Sequence, residues 1–281
     1  MSAWRIRHIA LEDNITLSNR TADADWANAL AAIRMGCAPP EPWRAIFGPL
    51  VGSIVDDMMV VAQLGQTMDG RTATEKGHSH YINGNNGLDH LHRLRACVDA
   101  VVIGVGTACA DDPQLTVRRV EGGHPARVIV DPNGRLPAAA RVLAEDGIRR
   151  LVIRRPEIPD DLPDNLPAGV EIVRVPPGPD GLAPADILAA LAERGLFRVL
   201  IEGGSNTVSR FLAARCLDHL HIVTAPLILG SGPPGLVLAP VARMDEALRP
   251  RTQVHILSDE VLYACDFSDQ RVAIGRAKKS M

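Results

Sequence analysis

Four polar motifs in this chain each stand where a β-strand should end. They occupy residues 66–73, 104–107, 110–118 and 201–207. Open α/β sheets bind small molecules in the crevice beyond the carboxyl ends of their strands. The four motifs together therefore predict an α/β fold with a small-molecule site at one edge of its sheet.

Apolar runs alternate with helical stretches from residue 60 onward. Strands are predicted at 60–64, 100–105, 126–130, 150–153, 170–175, 198–201 and 219–229. Helices are predicted at 87–98, 137–144, 184–194 and 207–214. This alternation favours a mainly parallel central sheet with helices on both faces. Two last strands, 254–257 and 261–267, are predicted to form a C-terminal hairpin.

The first 50 residues differ from the rest of the chain. All three tryptophans lie there, and residues 25–35 have helical spacing. We interpret residues 1–50 as a partly helical extension and residues 51–281 as one large domain. The extension is expected to pack on that domain or on a partner subunit. A lid, or a second contact to a small molecule, is the alternative.

Composition excludes several classes of protein. The net charge is −3 and the basic residues are dispersed, so no nucleic-acid partner is expected. No apolar run approaches the roughly 18 residues of a membrane span, and the N-terminus lacks the apolar core of a signal peptide. The five cysteines form no C-x-x-C pair, which indicates reduced thiols and a cytoplasmic location.

The order and residues of the four motifs resemble the reductase domain of riboflavin biosynthesis, over roughly residues 58 to 240. The resemblance implies a dihydrofolate-reductase-like fold and an NADPH-dependent enzyme. In that family a ribosylamino-pyrimidine phosphate takes a hydride at sugar carbon 1, and its ribosylamino group becomes ribitylamino. Bifunctional relatives add a zinc deaminase domain with H-x-E followed by P-C-x-x-C. Neither pattern occurs in this chain, and no metal site is expected.

The motif at 201–207 follows a predicted strand and precedes a predicted helix, so it suits a pyrophosphate at a helix N-terminus. Ser205 or Asn206 is expected to cap that helix. Together with the turn at 104–107, the resemblance assigns cofactor contacts to Thr72, Gly104, Thr107, Gly203, Gly204, Ser205, Asn206 and Thr207. Arg154 and Arg155 are candidates for binding the 2′-phosphate of NADPH. The alternative is a pair of exposed arginines at a strand end.

The motif at 110–118 supplies candidate substrate contacts. Asp112 precedes a proline and is interpreted as a turn residue. By resemblance, Asp111 contacts the sugar near the reacting carbon, and Leu115 also contacts the substrate. Arg118 and Arg95 correspond to residues that hold the sugar phosphate. On sequence alone, Arg95 fits the solvated side of an amphipathic helix equally well.

Three further substrate contacts come from the resemblance. Ser79 falls on a hydroxyl that usually meets the phosphate, and Glu202 on a carboxylate that reads the pyrimidine amino groups. Tyr81 stands where the family commonly has tryptophan, and both rings can stack on a pyrimidine. The pair Asn83-Gly84 also departs from the family pattern.

Two alternative functions stay open. The departures around Tyr81 favour a related NADPH reductase that acts on another substrate. A nucleotide-binding protein without turnover is the other alternative, although it would not need the charged residues assigned to the substrate.

The apolar run 219–229 is longer than one strand needs, and Pro226 within it suits an edge or bulge position. A long apolar edge left open would promote aggregation. We therefore expect a second subunit to cover it, which gives a homodimer.

Overall fold

The computed structural model describes residues 22–51, 55–79, 82–159, 166–179 and 181–274. The α-helices are α1 (Ala22–Arg34), α2 (Arg44–Phe47), α3 (Asn85–Cys97), α4 (Val105–Asp111), α5 (Pro184–Ala192) and α6 (Ser205–Ala213). The strands are β1 (Met59–Thr67), β2 (Ala100–Gly104), β3 (Ala126–Val130), β4 (Arg150–Arg154), β5 (Val170–Arg174), β6 (Pro177–Gly178), β7 (Gly181–Leu182), β8 (Arg198–Glu202), β9 (His219–Ala225), β10 (Arg251–Leu257) and β11 (Glu260–Asp266).

Nine of the described strands form one sheet in the order β10-β11-β9-β1-β8-β2-β3-β4-β5. The neighbours from β9 to β5 all pair in parallel. The strand β11 pairs antiparallel with β9, and β10 pairs antiparallel with β11. The predicted mainly parallel sheet and C-terminal hairpin are confirmed.

Helices cover both faces of the sheet, as predicted. Met59 and Val61 of β1 belong to the core that includes residues of α1, α2 and α3. Val60 and Ala62 belong to the opposite core, which includes residues of α5 and α6. Because successive strand residues point to opposite faces, a strand buried on both sides is apolar throughout. This explains why the strands read as continuous apolar runs.

The N-terminal segment joins the first of these cores. Trp26 of α1 packs edge-on against Trp43, with ring centroids 5.3 Å apart, and Phe47 of α2 contacts both rings. The Arg93 guanidinium of α3 lies 4.5 Å from the Trp43 centroid, a cation–π contact. Phe47 also packs against His90 of α3, at 5.5 Å. Residues 22–50 therefore pack on the main domain, and the domain boundary at residue 51 stays a prediction.

One helix prediction is wrong, and one helix was missed. The predicted helix at 137–144 is wrong, because only the 3₁₀ turn Arg141–Leu143 forms there. Val142 and Leu143 are buried in the core, and this tertiary packing overrides the helix propensity of the alanines. The helix α4 was not predicted. Asp112 ends it in a left-handed conformation, with φ 40°, so the Asp112-Pro113 pair terminates this helix.

The edge argument for a homodimer is also wrong. Strand β9 ends at Ala225, directly before Pro226. It lies between β1 and β11 and pairs with both along its length. The apolar run is thus an inner strand, which explains its hydrophobicity without a second subunit.

Buried histidines line the contact between α3, β9 and the hairpin. His90 Nε2 and His221 Nδ1 are 3.0 Å apart. Burial, with Arg93 and His255 nearby, lowers the pKa of His90 to about 3. Burial beside Arg95 lowers the pKa of His92 to about 3, and burial holds the pKa of His221 well below its ordinary value. These side chains are neutral in the folded protein at neutral pH.

We expect acid to destabilise the fold through these histidines. Their stabilising contribution is complete above the ordinary pKa of 6.5 and is lost as pH falls toward the folded value of about 3, because only the unfolded state takes up the protons. Burial of Asp218 raises its pKa to about 6 and partly opposes this loss. Urea unfolding should show the free energy of unfolding falling by about 2–4 kcal/mol between pH 7 and pH 5. His90→Phe should reduce the slope, whereas exposed His78→Gln should not.

Candidate active site

The carboxyl ends of β1, β8 and β2 lie side by side and open into one cavity of about 690 Å³. The motifs predicted from these strand ends meet there, as expected for an open parallel sheet. The cavity is lined by eleven of the residues predicted to bind substrate or cofactor: Thr72, Ser79, Arg95, Thr107, Asp111, Leu115, Arg118, Glu202, Gly203, Gly204 and Ser205.

The turns after β2 and β8 are hydrogen-bonded and closely packed against each other. The Gly204 N–H donates to Thr107 Oγ1 at 2.9 Å. A Cβ at Gly104 would lie 2.6 Å from Thr207 Oγ1, so only glycine fits there. Gly203 has φ +105°, a conformation that other residues rarely adopt. Gly104 and Thr207 thus build the cavity wall without lining it, and Asn206 also lies outside the lining.

The start of α6 offers uncapped donors to the cavity. Gly204 is the N-cap residue, and no side chain caps the helix. The expectation that Ser205 or Asn206 caps it is wrong, because α6 begins at Ser205 itself. Ser205 Oγ is buried and has no hydrogen-bond partner among the described residues. Free backbone N–H groups, a positive dipole end and an unpaired hydroxyl together suit an anionic group.

The motif at residues 66–73 forms a loop that is hydrogen-bonded to the chain after β9. Asp69 accepts hydrogen bonds from the backbone N–H groups of Leu229 and Gly230, at 3.2 and 2.7 Å. A hydrogen bond from the Thr67 hydroxyl holds the pKa of Asp69 below its ordinary value. Thr72 N donates to the Pro233 carbonyl at 2.9 Å. Asp69 therefore has a structural role, and the anchored loop presents Thr72 to the cavity.

Asp111 is an exposed carboxylate on the cavity wall, at the last residue of α4. Ser79 Oγ donates to Asp111 Oδ1 at 3.4 Å, so the two predicted substrate contacts are neighbours. Asp112 turns the chain at the end of α4, as expected, with φ 40°, and its Oδ1 also accepts the Arg141 N–H at 2.7 Å. Leu115 is buried with φ +54°, a strained conformation, and it lines the cavity.

Arg95 and Glu202 form a buried ion pair in the cavity wall. Arg95 Nε donates to Glu202 Oε2 at 2.9 Å, and Nη2 donates to Glu202 Oε1. Arg95 Nη1 donates to the Thr116 carbonyl at 3.0 Å. From sequence, both side chains were predicted to contact the ligand rather than each other. The alternative that Arg95 lies on the solvated side of its helix is wrong, because Arg95 is buried. Three of the five N–H groups of Arg95 are used within the protein.

Two guanidinium groups face the cavity without an ion-pair partner among the described residues. Arg118 Nη1 donates to Thr116 Oγ1 at 2.7 Å. Partial burial, with Arg95 and Arg141 nearby, lowers the pKa of Arg118. Arg141 also lines the cavity, and sequence reasoning missed it. Its backbone is held by the hydrogen bond from the Arg141 N–H to Asp112, and no sequence motif indicates that contact.

Arg154 does not suit the cofactor role predicted for it. It is 1 % exposed, and its Nη2 lies 4.0 Å from Asp131 Oδ2 on the neighbouring chain segment. It ends the buried strand β4, so its side chain points into the protein instead of beyond the strand. Arg155 is half-buried and, like Arg154, does not line the cavity. Tyr81 lies outside the described residues.

A second cavity, of about 630 Å³, lies at the opposite edge of the sheet. It is lined by Met59, Asp99 and Arg198, at the amino ends of three strands. Parallel sheets bind ligands at their carboxyl ends, so the first cavity is the candidate active site.

Among the described residues, none of the helices has the length and apolar character that a membrane span requires. No group of three or more His, Cys, Asp or Glu side chains in the same part of the chain is placed to hold a metal ion.

Comparison with known proteins decides the family. The sequence profile described as the RibD C-terminal domain matches residues 58–246. The chain belongs to the RibD C-terminal domain family. The matched range contains the strands from β1 to β9 and all the cavity residues named above, so the family match and the candidate active site coincide.

Named members of the RibD C-terminal domain family are similar to this chain over that region. A 2,5-diamino-6-ribosylamino-4(3H)-pyrimidinone 5′-phosphate reductase of Methanothermobacter thermautotrophicus is 33% identical, over 61% of this chain and 79% of the relative. The riboflavin biosynthesis protein RibD of Aquifex aeolicus is also 33% identical, over 62% of this chain and 48% of the relative. The chain thus spans about half the length of that RibD protein.

A solved structure supports the same fold. The deaminase/5-amino-6-(5-phosphoribosylamino)uracil reductase of Thermotoga maritima superposes with a TM-score of 0.63 at 28% identity. The match covers 74% of this chain and 56% of that one. The fold is therefore that of the reductase part of the RibD proteins.

Proposed function

We propose that this protein uses NADPH to reduce a ribosylamino-pyrimidine phosphate to its ribityl form. The chain is an oxidoreductase by its family. The observation that carries the proposal is one cavity lined by two chemically distinct sets of groups. The uncapped N-terminus of α6 is one set, and Asp111, Ser79 and Arg118 form the other.

The start of α6 suits the cofactor. The Ser205 N–H and the orphaned Ser205 Oγ fit a pyrophosphate, and Thr72 and Thr107 line the same cavity. NADPH, when bound, supplies the hydride. This chain's residues then need to orient the sugar carbon and exclude water, which is the usual share of a protein in cofactor chemistry.

The second set of groups suits a phosphorylated sugar. Arg118 and Arg141 face the cavity with no carboxylate paired to them among the described residues, so both can bind a dianionic phosphate. Ser79, whose hydroxyl donates to Asp111, lines the same cavity. The two N–H groups of Arg95 not used in the protein can add to the same phosphate, with Glu202 holding that arginine in place.

Asp111 is assigned to the reacting sugar. Its exposed carboxylate can accept a hydrogen bond from a sugar hydroxyl or from the protonated imine nitrogen. A negative charge there favours the cationic form of the imine, which accepts hydride more readily. The proposal thus assigns charge stabilisation to Asp111 and phosphate binding to Arg118 and Arg141.

The test follows NADPH oxidation spectrophotometrically with the ribosylamino-pyrimidine phosphate as substrate, and identifies the ribityl product by mass spectrometry. Turnover with that product supports the proposal. NADPH binding without turnover would favour a related reductase with another substrate, an alternative that the Asn83-Gly84 departure supports. Absence of NADPH binding would contradict the proposal.

Arg118→Ala should raise the KM for the phosphorylated substrate by about tenfold or more, because a charge-assisted hydrogen bond contributes about 1.5–3 kcal/mol. The kcat should change less, since the phosphate lies away from the reacting carbon. Arg119→Ala is the matched control, because its guanidinium pairs with Asp89 and Asn85 outside the cavity. Equal KM values for the two variants would contradict the assignment.

The proposal includes a homodimer and a cytoplasmic location. Apolar side chains are exposed between β9 and β10, among them Ile228 at 74 %, Met244 at 71 % and Val237 at 58 %. Exposed apolar patches of this kind often mark protein contacts. Sedimentation should give a dimer at micromolar concentration, and a monomer would contradict the proposed homodimer.

The proposed cytoplasmic location is supported by the five cysteines, which are all free, as a reducing compartment favours.

A further inference from the structure

Glu260 is a buried carboxylate that lies far from the candidate site in sequence but contacts its wall. It is 1 % exposed and begins β11, directly after the tight turn Ser258-Asp259. Its Oε1 accepts from Asn83 Nδ2 at 2.8 Å and from the Gly84 N–H at 3.0 Å. Its Oε2 accepts from the Gly87 N–H at 2.8 Å.

These contacts make Glu260 the missing cap of α3. The helix has Gly84 at its N-cap position, and no side chain of its own segment caps it. Burying a carboxylate is costly unless hydrogen bonds compensate for its lost hydration. Three donors and the positive end of the α3 dipole provide that compensation. The carboxylate comes from 173 residues beyond the Gly87 amide, so the contact fixes long-range geometry.

The segment that Glu260 holds forms part of the cavity. Ser79, Ile82 and Asn83 line it just before α3, and Arg95 lines it from the far end of that helix. Asn83 is held from two sides, because its Nδ2 also lies 3.3 Å from the Val223 carbonyl of β9. A displacement of Asn83 would therefore move the wall on which the substrate is expected to rest.

We propose that Glu260 is a positioning residue for the substrate side of the active site. It acts through Asn83 and the start of α3, and it touches no substrate itself. It lies outside the matched family range of residues 58–246. The C-terminal hairpin thus completes a site whose cavity residues all come from the family domain. This inference rests on the proposed function for its catalytic consequence.

The variants Glu260→Ala, Glu260→Gln and Asp259→Ala test it. Alanine removes all three acceptors, so the KM for the ribosylamino-pyrimidine phosphate should rise about tenfold while the Kd for NADPH changes less than about twofold. Glutamine keeps one acceptor oxygen but turns an NH₂ group toward a donor. The KM of Glu260→Gln should therefore lie between those of wild type and Glu260→Ala. Asp259 is exposed in the same turn, and its replacement should match wild type.

Hydrogen–deuterium exchange supplies a readout that needs no turnover. In Glu260→Ala, amides of residues 82–88 should exchange faster, while those of β8 keep their wild-type protection. A general loss of stability with unchanged KM would mean a merely structural cap and would overturn the proposal. So would wild-type exchange at residues 82–88. If wild type itself reduces none of the ribosylamino substrate, the proposed function fails, and the exchange result alone decides the role of Glu260.

Discussion

Replacing Asp111 by asparagine should lower kcat by about 100-fold, because removal of one preorganised electrostatic contact at a reacting centre typically costs that much. The substitution keeps the size of the side chain and removes only its charge. Asp111 is exposed on the cavity wall at the end of α4, so the fold loses no buried contact. NADPH binding, which we assign to the start of α6, should stay nearly intact.

The neighbouring aspartate offers a matched control. Asp112 also lines the cavity, but its Oδ1 accepts the Arg141 N–H, and an asparagine oxygen can keep that bond. Its left-handed backbone also suits asparagine. Asp112→Asn should therefore reduce kcat far less than Asp111→Asn. Single-turnover measurements of hydride transfer separate the chemical step from product release.

Two outcomes would count against the role of Asp111. If Asp111→Asn turns over like wild type, the carboxylate does not stabilise the imine, and Asp111 is only the residue that ends α4. If both variants lose activity equally, the general negative charge of the α4 terminus matters rather than the position of one carboxylate.

The sequence predicted the sheet well because burial on both faces leaves a strong local signal. The strands β2, β3 and β8 match their apolar runs within one residue, since Gly104 and Glu202 end two of those runs with polar or flexible residues. The shared location of the motifs was also predictable, because β1, β8 and β2 are parallel neighbours and their carboxyl ends meet. The hairpin followed from its polar turn.

Side-chain partners were not predictable in the same way. Arg95 and Glu202 are 107 residues apart, and neither has a local pattern that reveals the other. Arg154 carries the same charge as Arg118, yet its side chain is buried beside Asp131 instead of facing the cavity. The helix α4 was missed because it is short and lies directly between the Gly104 turn and Pro113. Residue type indicates which chemistry is available, whereas the fold decides where each side chain points.

Removing Glu202 should destabilise the protein more than any other single change at the cavity. Its carboxylate accepts two hydrogen bonds from Arg95, and the two side chains are only 11 % and 6 % exposed. Glu202→Ala leaves the Arg95 guanidinium buried without its counter-charge, so the free energy of unfolding should fall by about 3–5 kcal/mol. Urea unfolding at neutral pH measures this loss.

The double variant Arg95→Met/Glu202→Leu separates charge pairing from ligand binding. Apolar side chains of similar volume often replace a buried ion pair at little cost in stability, so the double variant should recover most of the loss seen in Glu202→Ala. It should still bind NADPH but bind the phosphorylated substrate poorly, because it lacks the Arg95 N–H groups and the Glu202 carboxylate. A double variant as unstable as Glu202→Ala would contradict the pairing argument. A stable double variant with a wild-type KM would instead show that neither side chain contacts the substrate, leaving phosphate binding to Arg118 and Arg141.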